Sequence, residues 1–258
     1  MRYCRFSHAS HTSYGILKDD RVETLTAAPW AGGQPTGNVF AVNEIRLLAP
    51  VVPGKIIGLA RTYPDHAAEL GNPIPREPLM FLKPPSAVIG PDENILVPPN
   101  VGRVDYEGEL ALVIGRRCAR LREDESALDY IFGFTCVNDV TARDLQKAEG
   151  HFTRAKAFDT FCPIGPLVVT GLDPKQLVVE SYVNGERRQR GAVGEMIFSL
   201  DAIIRSIAAV MTLEPGDVIS TGTPPGVGPL KPGDTVEVAI EGIGRLRNPV
   251  KADESGTR

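Results

Sequence analysis

The sequence predicts a mostly β fold with some α-helix, preceded by a small N-terminal β unit. Short apolar runs bounded by turn residues are typical of strands, and the 258 residues include 26 glycines and 22 prolines. The strand-like runs outnumber the helical patterns and do not alternate with them, as they would in a doubly wound parallel sheet. We therefore expect a small β domain over residues 1–52 and a main domain over residues 53–258.

The N-terminal unit is expected to contain four short strands separated by turns. Lys18-Asp19-Asp20 forms one polar turn, and residues 27–37 form a loop rich in glycine, proline and alanine. The four strands are predicted at residues 2–7, 13–18, 22–25 and 44–48.

The main domain carries further strand patterns, of which residues 106–115 form the strongest. Asn184-Gly185 is the best hairpin-turn signal in the chain. Prolines are dense between residues 73 and 99, which excludes regular helix from that passage. The main-domain strands are predicted at residues 55–60, 79–83, 87–90, 106–115, 132–139, 177–183, 218–221 and 235–240.

Three segments are predicted to be helical. Residues 61–70 have helical character, and residues 141–149 begin with a capping box of Thr141 and Asp144 and end at Gly150. Ser199 is placed to cap the third helix. The apolar residues of that helix follow helical spacing, at Leu200, Ile203, Ile204, Ile207, Ala208 and Met211.

Composition and charge exclude several classes of function. A formal charge of −4 and a pI near 5.7 give no basic surface for nucleic acid or an anionic membrane. No apolar run approaches the ~20 residues of a membrane span, and no signal peptide is expected. The four cysteines are too far apart in sequence to form a zinc knuckle or a redox pair. We expect a cytoplasmic protein with reduced cysteines.

Three acidic residues are candidates for a metal site. Glu107 and Glu109 are two apart in a predicted strand, so both side chains leave the same face, while Asp139 ends another apolar strand. Neighbouring carboxylates in an apolar strand repel each other, and Mg²⁺ or Mn²⁺ relieves that repulsion with the oxygen ligands it prefers. The alternative is a solvated edge strand with Asp139 helping to cap its helix. Spacing alone favours this alternative.

Other polar residues lie in suggestive settings. His66 and Glu69 are three apart in a predicted helical turn, which suits either a general base or a surface ion pair, and the sequence alone favours the ion pair. Arg143 and Gln146 begin the helix that follows Asp139, and Lys156 is a candidate cation for a substrate carboxylate. Residues 221–228 form a glycine-rich loop, in which Gly222 and Thr223 suit either an oxyanion site or a tight turn.

Taken in order, these segments resemble the fumarylacetoacetate hydrolase family. Each motif is weak alone, but the ordered set is specific and runs from about residue 53 to about residue 250. The matching segments are residues 58–66 (GLARTYPDH), 81–84 (FLKP), 104–110 (VDYEGEL), 138–144 (NDVTARD), 156–160 (KAFDT) and 221–228 (TGTPPGVG).

The resemblance implies a mixed β-roll catalytic domain, usually a homodimer, with Mg²⁺ or Mn²⁺ bound by Glu107, Glu109 and Asp139. It implies a catalytic dyad of His66 and Glu69 on a segment that orders over the substrate, with Lys156 as a further catalytic residue. The residues implied to bind substrate are Arg61, Tyr63, Arg143, Gln146, Gly222 and Thr223.

Two departures from the family pattern refine the expectation. Thr62 and Pro64 stand where the family often has Asn and Ala, which suggests a different fold of the lid segment. Leu59 stands where the type member has a further metal-ligand aspartate. The chain therefore looks like the smaller acylpyruvase and decarboxylase branch of the family.

The activity implied is cleavage of the C3–C4 bond of a small anionic 2-oxo acid through a metal-stabilised enolate, as an acylpyruvate hydrolase or an oxaloacetate-type decarboxylase. One alternative is the 2-hydroxyhepta-2,4-diene-1,7-dioate isomerase and 5-carboxymethyl-2-oxo-hex-3-ene-1,7-dioate decarboxylase of aromatic catabolism. A further alternative, from another class, is a metal-binding β protein without catalysis.

Overall fold

The computed structural model describes residues 1–254, and most of their strands belong to one large sheet. The N-terminal residues supply five of its strands, including the four that were predicted. These are β1 (Arg2–His8), β2 (His11–Lys18), β3 (Arg21–Leu25), β4 (Pro35–Ala41) and β5 (Arg46–Leu48).

The remaining strands and helices follow in an irregular order, which confirms the predicted mostly β fold. The strands are β6 (Ile56–Ala60), β7 (Leu79–Lys83), β8 (Val88–Ile89), β9 (Ile95–Val97), β10 (Val104–Tyr106), β11 (Gly108–Ile114), β12 (Ile131–Asn138), β13 (Thr141–Ala142), β14 (Cys162–Val169), β15 (Val178–Val183), β16 (Glu186–Ala192), β17 (Val218–Ser220), β18 (Gly228–Pro229), β19 (Thr235–Ile240) and β20 (Gly244–Ala252). The helices are α1 (Pro64–Glu69), α2 (Arg143–Glu149), α3 (Thr153–Lys156) and α4 (Leu200–Val210).

The large sheet has twelve strands and joins the N-terminal unit to the main domain. Its order is β4-β3-β2-β1-β14-β12-β11-β17-β6-β7, with β5 paired to β1 and β8 paired to β14. The junction is the antiparallel pair β1–β14, in which Arg2 lies opposite Val169. Hydrogen bonding is therefore continuous across the two sequence units, and the division at residue 52 stays a prediction.

Two smaller sheets complete the fold. A five-stranded sheet has the order β16-β15-β19-β20-β9, and a three-stranded sheet has the order β13-β10-β18. The predicted Asn184-Gly185 hairpin joins β15 to β16, with both residues at positive φ.

Alternation along β11 fixes which residues face which core. Leu110, Leu112 and Ile114 pack into the core that includes α4 and the five-stranded sheet, whereas Ala111 and Val113 pack on the opposite face. Glu109 shares the face of Ala111 and Val113. As predicted, the Ser199 hydroxyl caps α4, accepting the Ala202 N–H at 3.2 Å.

The structure differs from the sequence prediction at several elements. The predicted loop at residues 27–37 overlaps the exposed edge strand β4, whose polar residues hide the strand pattern. Strand β14 was missed because Pro163 and Pro166 interrupt its sequence, although its other positions are mostly buried. Strand β20 was also missed, since basic residues and a proline dilute its alternation.

The predicted capping box of α2 is wrong. Ala142 is the N-cap and makes no side-chain cap bond. The Thr141 hydroxyl instead donates to the Asp139 carbonyl at 2.9 Å, and the Asp144 carboxylate accepts the Arg103 N–H at 2.9 Å. Both side chains therefore bond groups outside the helix, and neither caps it. Gly150 does end the helix in a left-handed conformation, as predicted.

The helices within residues 1–254 are all too short or too polar to cross a membrane. The longest of the four, α4, has 11 residues, compared with the ~20 that a bilayer requires.

Candidate metal and active site

The strand predicted at residues 106–115 is interrupted at Glu107, and the first two acidic residues lie at and just after this break. Glu107 lies between β10 and β11 and belongs to neither strand. Its N–H donates to the Asn138 side-chain oxygen at 2.9 Å, and its carbonyl accepts the Asp139 N–H at 2.8 Å. Because β11 and β12 are antiparallel, with Gly108 opposite Asn138, the start of β11 meets the end of β12. The chain thereby brings Glu107, Glu109 and Asp139 together.

The three carboxylates form a compact, buried cluster. One oxygen from each of Glu107, Glu109 and Asp139 lies within 4.8 Å of the other two, and all three residues are buried. Clustered carboxylate oxygens are the donor set that hard divalent cations prefer. The geometry excludes the solvated edge strand that spacing alone favoured.

Buried cations neutralise two of the three carboxylates. Lys156 Nζ lies 2.8 Å from Glu107 Oε2 and also bonds Asp139 Oδ2. Lys83 Nζ lies 2.6 Å from Asp139 Oδ1. Arg143 bonds Glu107 through one terminal nitrogen and Asp105 Oδ2 through Nε at 2.9 Å.

Glu109 has no such cation. Its Oε2 accepts from the Ser220 hydroxyl and from the Gly222 N–H, the latter at 2.8 Å, and no ion pair to it is found within residues 1–254. Burial, together with the charges of Asp139 and Glu107, raises the pKa of Glu109 well above its ordinary value. A divalent cation bound between the carboxylates would supply the missing positive charge. The residues present therefore fit a metal ion.

The neighbouring charges act on Glu107 and Lys156 in the opposite direction. Burial alone acts to raise the pKa of Glu107, but Lys156, Arg143 and His66 outweigh it and hold that pKa below its ordinary value. Burial alone acts to lower the pKa of Lys156, but the Asp139 and Glu107 carboxylates raise it. Both groups are therefore charged at neutral pH, and they form a buried ion pair.

His66 and Glu69 form the predicted contact within α1. His66 Nδ1 lies 3.1 Å from Glu69 Oε2, and Glu69 Oε1 accepts the Gly226 N–H at 3.0 Å. The Tyr106 hydroxyl donates to the Gly226 carbonyl at 2.8 Å, so the glycine-rich loop is fixed on both sides of that residue. His66 is buried, which argues against a simple surface ion pair.

The dyad and two of the clustered carboxylates, Glu107 and Glu109, line one cavity of about 440 Å³. Of the twelve predicted site residues, nine line it: Arg61, His66, Glu69, Glu107, Glu109, Arg143, Gln146, Lys156 and Thr223. The roles assigned to these residues stay predictions.

The other three predicted site residues lie behind the cavity wall. Asp139 is buried beneath Lys83 and Lys156. Gly222, at φ 93°, bonds Glu109 through its N–H, and an added Cβ there would lie 2.0 Å from the Thr62 hydroxyl oxygen, so a larger residue does not fit. Tyr63 is buried, and its hydroxyl has no hydrogen-bond partner among the residues described.

Several residues of the site carried no role in the sequence prediction. Lys83 is the clearest case, because β7 buries Lys83 and leaves Leu82 50% exposed. A strand usually buries its apolar residues and exposes its charged ones. The reversal at Leu82 and Lys83 could have indicated a functional lysine. Asn138, Gln189 and Ser220 gave no such signal, since their partners are distant in sequence.

Two aromatic rings lie beside Lys156. Its Nζ lies 4.7 Å from the centre of the Phe81 ring, and Phe81 packs on Phe152 with ring centres 5.1 Å apart. Phe152 lines the cavity. The apolar rings limit water around the ammonium, which strengthens its interactions with the carboxylates.

The fold and the site define a β-rich protein in which a buried three-carboxylate cluster adjoins a cavity that also holds a histidine–glutamate pair. Residues 55–251 match the family model for the C-terminal domain of fumarylacetoacetate hydrolase, and residues 1–50 match the Rv2993c-like N-terminal model. The chain belongs to the fumarylacetoacetate hydrolase family, so the resemblance seen in the sequence is confirmed.

Relatives with curated names carry more than one activity. The protein MJ1656 of Methanocaldococcus jannaschii is 52% identical over 86% of this chain and 90% of its own length. The oxaloacetate tautomerase YisK of Bacillus subtilis is 43% identical over 82% of this chain and 75% of its own. A 2,4-didehydro-3-deoxy-L-rhamnonate hydrolase of Sphingomonas is 38% identical over 97% and 96%, respectively.

Solved structures agree with this family assignment. A 5-carboxymethyl-2-hydroxymuconate delta-isomerase from Mycobacterium smegmatis superposes with a TM-score of 0.91 at 40% identity, covering 98% of this chain and 100% of its own. A 2-hydroxyhepta-2,4-diene-1,7-dioate isomerase from Mycobacterium marinum gives 0.90 at 40% identity, covering 99% and 100%. The tautomerase, the hydrolase and the two isomerases are enzymes, and their names span several reaction types.

Proposed function

We propose that this chain is a Mg²⁺- or Mn²⁺-dependent enzyme that transfers a proton at C3, the carbon next to the 2-oxo group of a small 2-oxo acid. The observation that supports the proposal is the single cavity lined by His66, Glu69, Glu107 and Glu109. An acid–base pair and a cation site must face the same substrate for this chemistry.

The metal would be held by Glu107, Glu109 and Asp139. Bound there, a divalent cation supplies Lewis-acid polarisation of the substrate's carboxylate and 2-oxo oxygens, which makes the C3 proton more acidic. Glu109 is the ligand with no protein cation, and it therefore gains most from the ion.

His66 is assigned the proton transfer, through Nε2. Its Nδ1 is engaged by Glu69, and Glu69 is in turn fixed by the Gly226 N–H, so the ring has a defined orientation. A carboxylate on Nδ1 makes Nε2 the free acceptor and stabilises the imidazolium that forms. Arg143 and Lys156 line the same cavity, where they balance the acidic cluster and would present cations to an anionic substrate.

Interconversion of the keto and enol forms of an oxaloacetate-type diacid is the reaction we favour. It requires only removal of a proton at one atom and its return at another, which one oriented histidine can perform. The oxaloacetate tautomerase of Bacillus subtilis, at 43% identity, supports this choice.

A dicarboxylate substrate suits the charges on the cavity wall. Arg61 and Lys147 both line the cavity, and neither side chain has an ion-pair or hydrogen-bond partner among residues 1–254. By contrast, Arg143 and Lys156 are already paired with carboxylates. Two unpartnered cations favour a second anionic group on the substrate, beyond the one that meets the metal.

C3–C4 cleavage, as acylpyruvate hydrolysis or oxaloacetate-type decarboxylation, is the second candidate. The hydrolase from Sphingomonas, which is 38% identical and aligns with 97% of this chain, favours this candidate. In the hydrolysis, His66 would take a proton from the water that attacks the acyl carbon, whereas decarboxylation needs no water. The structure from Mycobacterium marinum supports a 2-hydroxyhepta-2,4-diene-1,7-dioate isomerase, in which the same dyad would move a proton along a dienol.

A substrate screen separates these reactions. Purified protein stripped with EDTA is given Mg²⁺ or Mn²⁺ and then enol oxaloacetate, an acylpyruvate or the heptadienedioate, with absorbance and pyruvate release followed in parallel. We expect fast loss of enol absorbance without pyruvate, above a protein-free control containing the same metal. Pyruvate release would indicate cleavage instead. Metal-dependent thermal stabilisation without turnover of any of them would favour a non-catalytic metal-binding protein.

The homodimer implied by the family resemblance also remains a proposal. Size-exclusion chromatography with light scattering tests it directly, since a dimer has twice the 27.8 kDa mass of the chain.

A further inference from the structure

The peptide between Glu107 and Glu109 is bonded by side chains from three distant elements. The Glu107 N–H donates to the Asn138 oxygen at 2.9 Å, and the Gly108 N–H donates to Gln189 Oε1 at 3.0 Å. The Gly108 carbonyl accepts from the Thr223 hydroxyl at 2.8 Å. Side chains therefore hold the segment that carries two of the three clustered carboxylates.

Gln189 connects these contacts. It comes from β16, in the five-stranded sheet, and is only 1% exposed. Its Nε2 donates to the Thr223 hydroxyl and to the Pro224 carbonyl, both at 2.7 Å. Its oxygen binds the Gly108 N–H, so both ends of one amide join the cluster segment to the glycine-rich loop.

Gln189 and Thr223 take the place of a missing strand partner. Along the same edge of β11, Leu110 is bonded by the Thr221 N–H at 3.0 Å, directly after β17 ends at Ser220. Two residues earlier, at Gly108, no strand within residues 1–254 pairs with the backbone on that edge. The side chains of Gln189 and Thr223 bond the groups that a strand would otherwise have bonded.

Gly108 needs this support because its own backbone is permissive. A Cβ at this position would lie 2.0 Å from the Ser181 hydroxyl oxygen, so packing demands glycine there. Glycine leaves the φ and ψ angles between two metal-site carboxylates weakly restricted. A rotation of this peptide would swing the Glu107 carboxylate away from Glu109 and Asp139.

We infer that Gln189 is a positioning residue of the metal site: by bonding the Gly108 N–H and Thr223, it fixes the backbone that makes Glu107 and Glu109 converge with Asp139. The inference rests on the proposed metal site and adds to it a residue that touches neither the metal ligands' carboxylates nor the cavity.

Mn²⁺ titration of a Gln189→Met variant tests the inference. Methionine keeps the length of the side chain and removes both hydrogen-bonding groups. Calorimetry on EDTA-stripped, folded protein is expected to show Mn²⁺ affinity about 10–100-fold below wild type, the usual effect of losing a group that orients metal ligands. The electron paramagnetic resonance spectrum of bound Mn²⁺ should change as well, since the ligand geometry loosens.

The matched control is Arg190→Gln, one residue along the same strand but on its other face. Arg190 is 57% exposed, and its Nε lies 3.8 Å from Glu180 Oε1. Its side chain does not bond the segment that carries Glu107 and Glu109. Its variant should bind Mn²⁺ as wild type does. If Gln189→Met does not fold, Thr223→Val carries the test, because it deletes the hydroxyl between Gln189 and the Gly108 carbonyl. We expect it to lower Mn²⁺ affinity severalfold.

The outcomes separate this inference from the proposed function. If wild type binds Mn²⁺ and the folded Gln189→Met protein binds it equally well, Gln189 is merely structural and the inference fails alone. The same holds for Thr223→Val where it carries the test. If wild type does not bind Mn²⁺, the proposed metal site fails and the inference fails with it.

Discussion

The ammonium of Lys83 lies 2.6 Å from Asp139 Oδ1, and both side chains are almost completely buried. Lys156 bonds the other oxygen of the same carboxylate, so Asp139 is held between two cations. Lys83 reaches no other carboxylate within residues 1–254 and does not line the cavity. Its contact therefore serves the placement of Asp139, not the binding of substrate.

Replacing Lys83 should destabilise the protein strongly. Lys83→Met leaves Asp139 Oδ1 buried without its cation, and removing one partner of a buried pair costs about 3–5 kcal/mol of unfolding free energy. We expect the low end of that range, because Lys156 remains. Urea unfolding in EDTA measures it. Lys18→Met is the control: Lys18 is 68% exposed in its pair with Glu23, so its loss should cost under ~1 kcal/mol.

Replacing Glu109, unlike replacing Lys83, should not destabilise the metal-free protein. Glu109→Gln removes the carboxylate that Asp139 and Glu107 repel, while an amide oxygen can still accept the Gly222 N–H. In EDTA at pH 8 the variant should melt at or above the wild-type temperature. Adding Mn²⁺ should raise the melting temperature of wild type but not of the variant. A variant that melts far below wild type in EDTA would contradict the uncompensated charge assigned to Glu109.

The pH dependence of metal binding follows from the same residue. Because the pKa of Glu109 is raised in the folded protein, stability from its protonated form is present below the unfolded pKa and is lost as pH rises through the folded pKa. Mn²⁺ must displace that proton, so its affinity should increase with pH up to the folded pKa, by at most about tenfold per pH unit. Calorimetric titrations between pH 5.5 and 8 measure the slope. Suppose that Mn²⁺ affinity does not change over this pH range, and that the stability difference between wild type and Glu109→Gln does not change either. Glu109 would then carry no proton there.

Local spacing predicted only part of the acidic cluster, and the resemblance to the family supplied the metal-ligand role of its three residues. Period-two spacing puts Glu107 and Glu109 on one face, and a strand end puts Asp139 beside a helix. Spacing did not reveal that Glu107 sits in a strand interruption, since that break depends on Asn138 and Gln189, which come from other strands. Interactions between residues more than thirty apart in sequence carry no periodic signal.

The fold shows the same division between local and distant causes. Helix α4 was predicted down to its Ser199 cap, because apolar spacing and capping are local. The prediction of a capping box at α2 was wrong because the Asp144 carboxylate accepts the Arg103 N–H. Arg103 is distant in sequence and is brought near only by the sheets. Strand β14 was not predicted, because prolines usually indicate a break in a strand. Here the neighbouring strands, among them the short parallel strand β8, accommodate them.

The two unpartnered cations of the cavity should set substrate preference. Arg61→Gln and Lys147→Gln each remove a charge that has no partner among the residues described. We expect KM for a 2-oxo diacid to rise about tenfold in each, as for one lost charge-assisted hydrogen bond. A 2-oxo monoacid should be turned over as by wild type. The control is Arg154→Gln, since Arg154 is exposed and paired with Glu149 outside the cavity. Equal losses for both substrates would contradict a distal-carboxylate role.

Replacing His66 should separate proton transfer from metal binding. His66→Gln keeps a polar side chain of similar length but removes the base, so kcat should fall about 10²–10⁴-fold. Mn²⁺ affinity should stay within about threefold of wild type, because His66 contacts none of the three carboxylates within hydrogen-bond distance. Glu69→Gln should cause a smaller fall, since it only loosens the orientation of the ring. Rapid-quench assays and calorimetry on the same preparations measure the two quantities.

The same variant distinguishes the candidate reactions. Tautomerisation and hydrolysis both need a proton moved by His66, whereas loss of CO₂ from an oxaloacetate-like diacid needs none at that step. His66→Gln should therefore suppress enol-to-keto conversion and acylpyruvate hydrolysis far more than any decarboxylation, with each rate measured under saturating Mn²⁺. If all three rates fell by the same factor while metal affinity held, His66 would be shaping the cavity, and the proton transfer assigned to its Nε2 would be wrong.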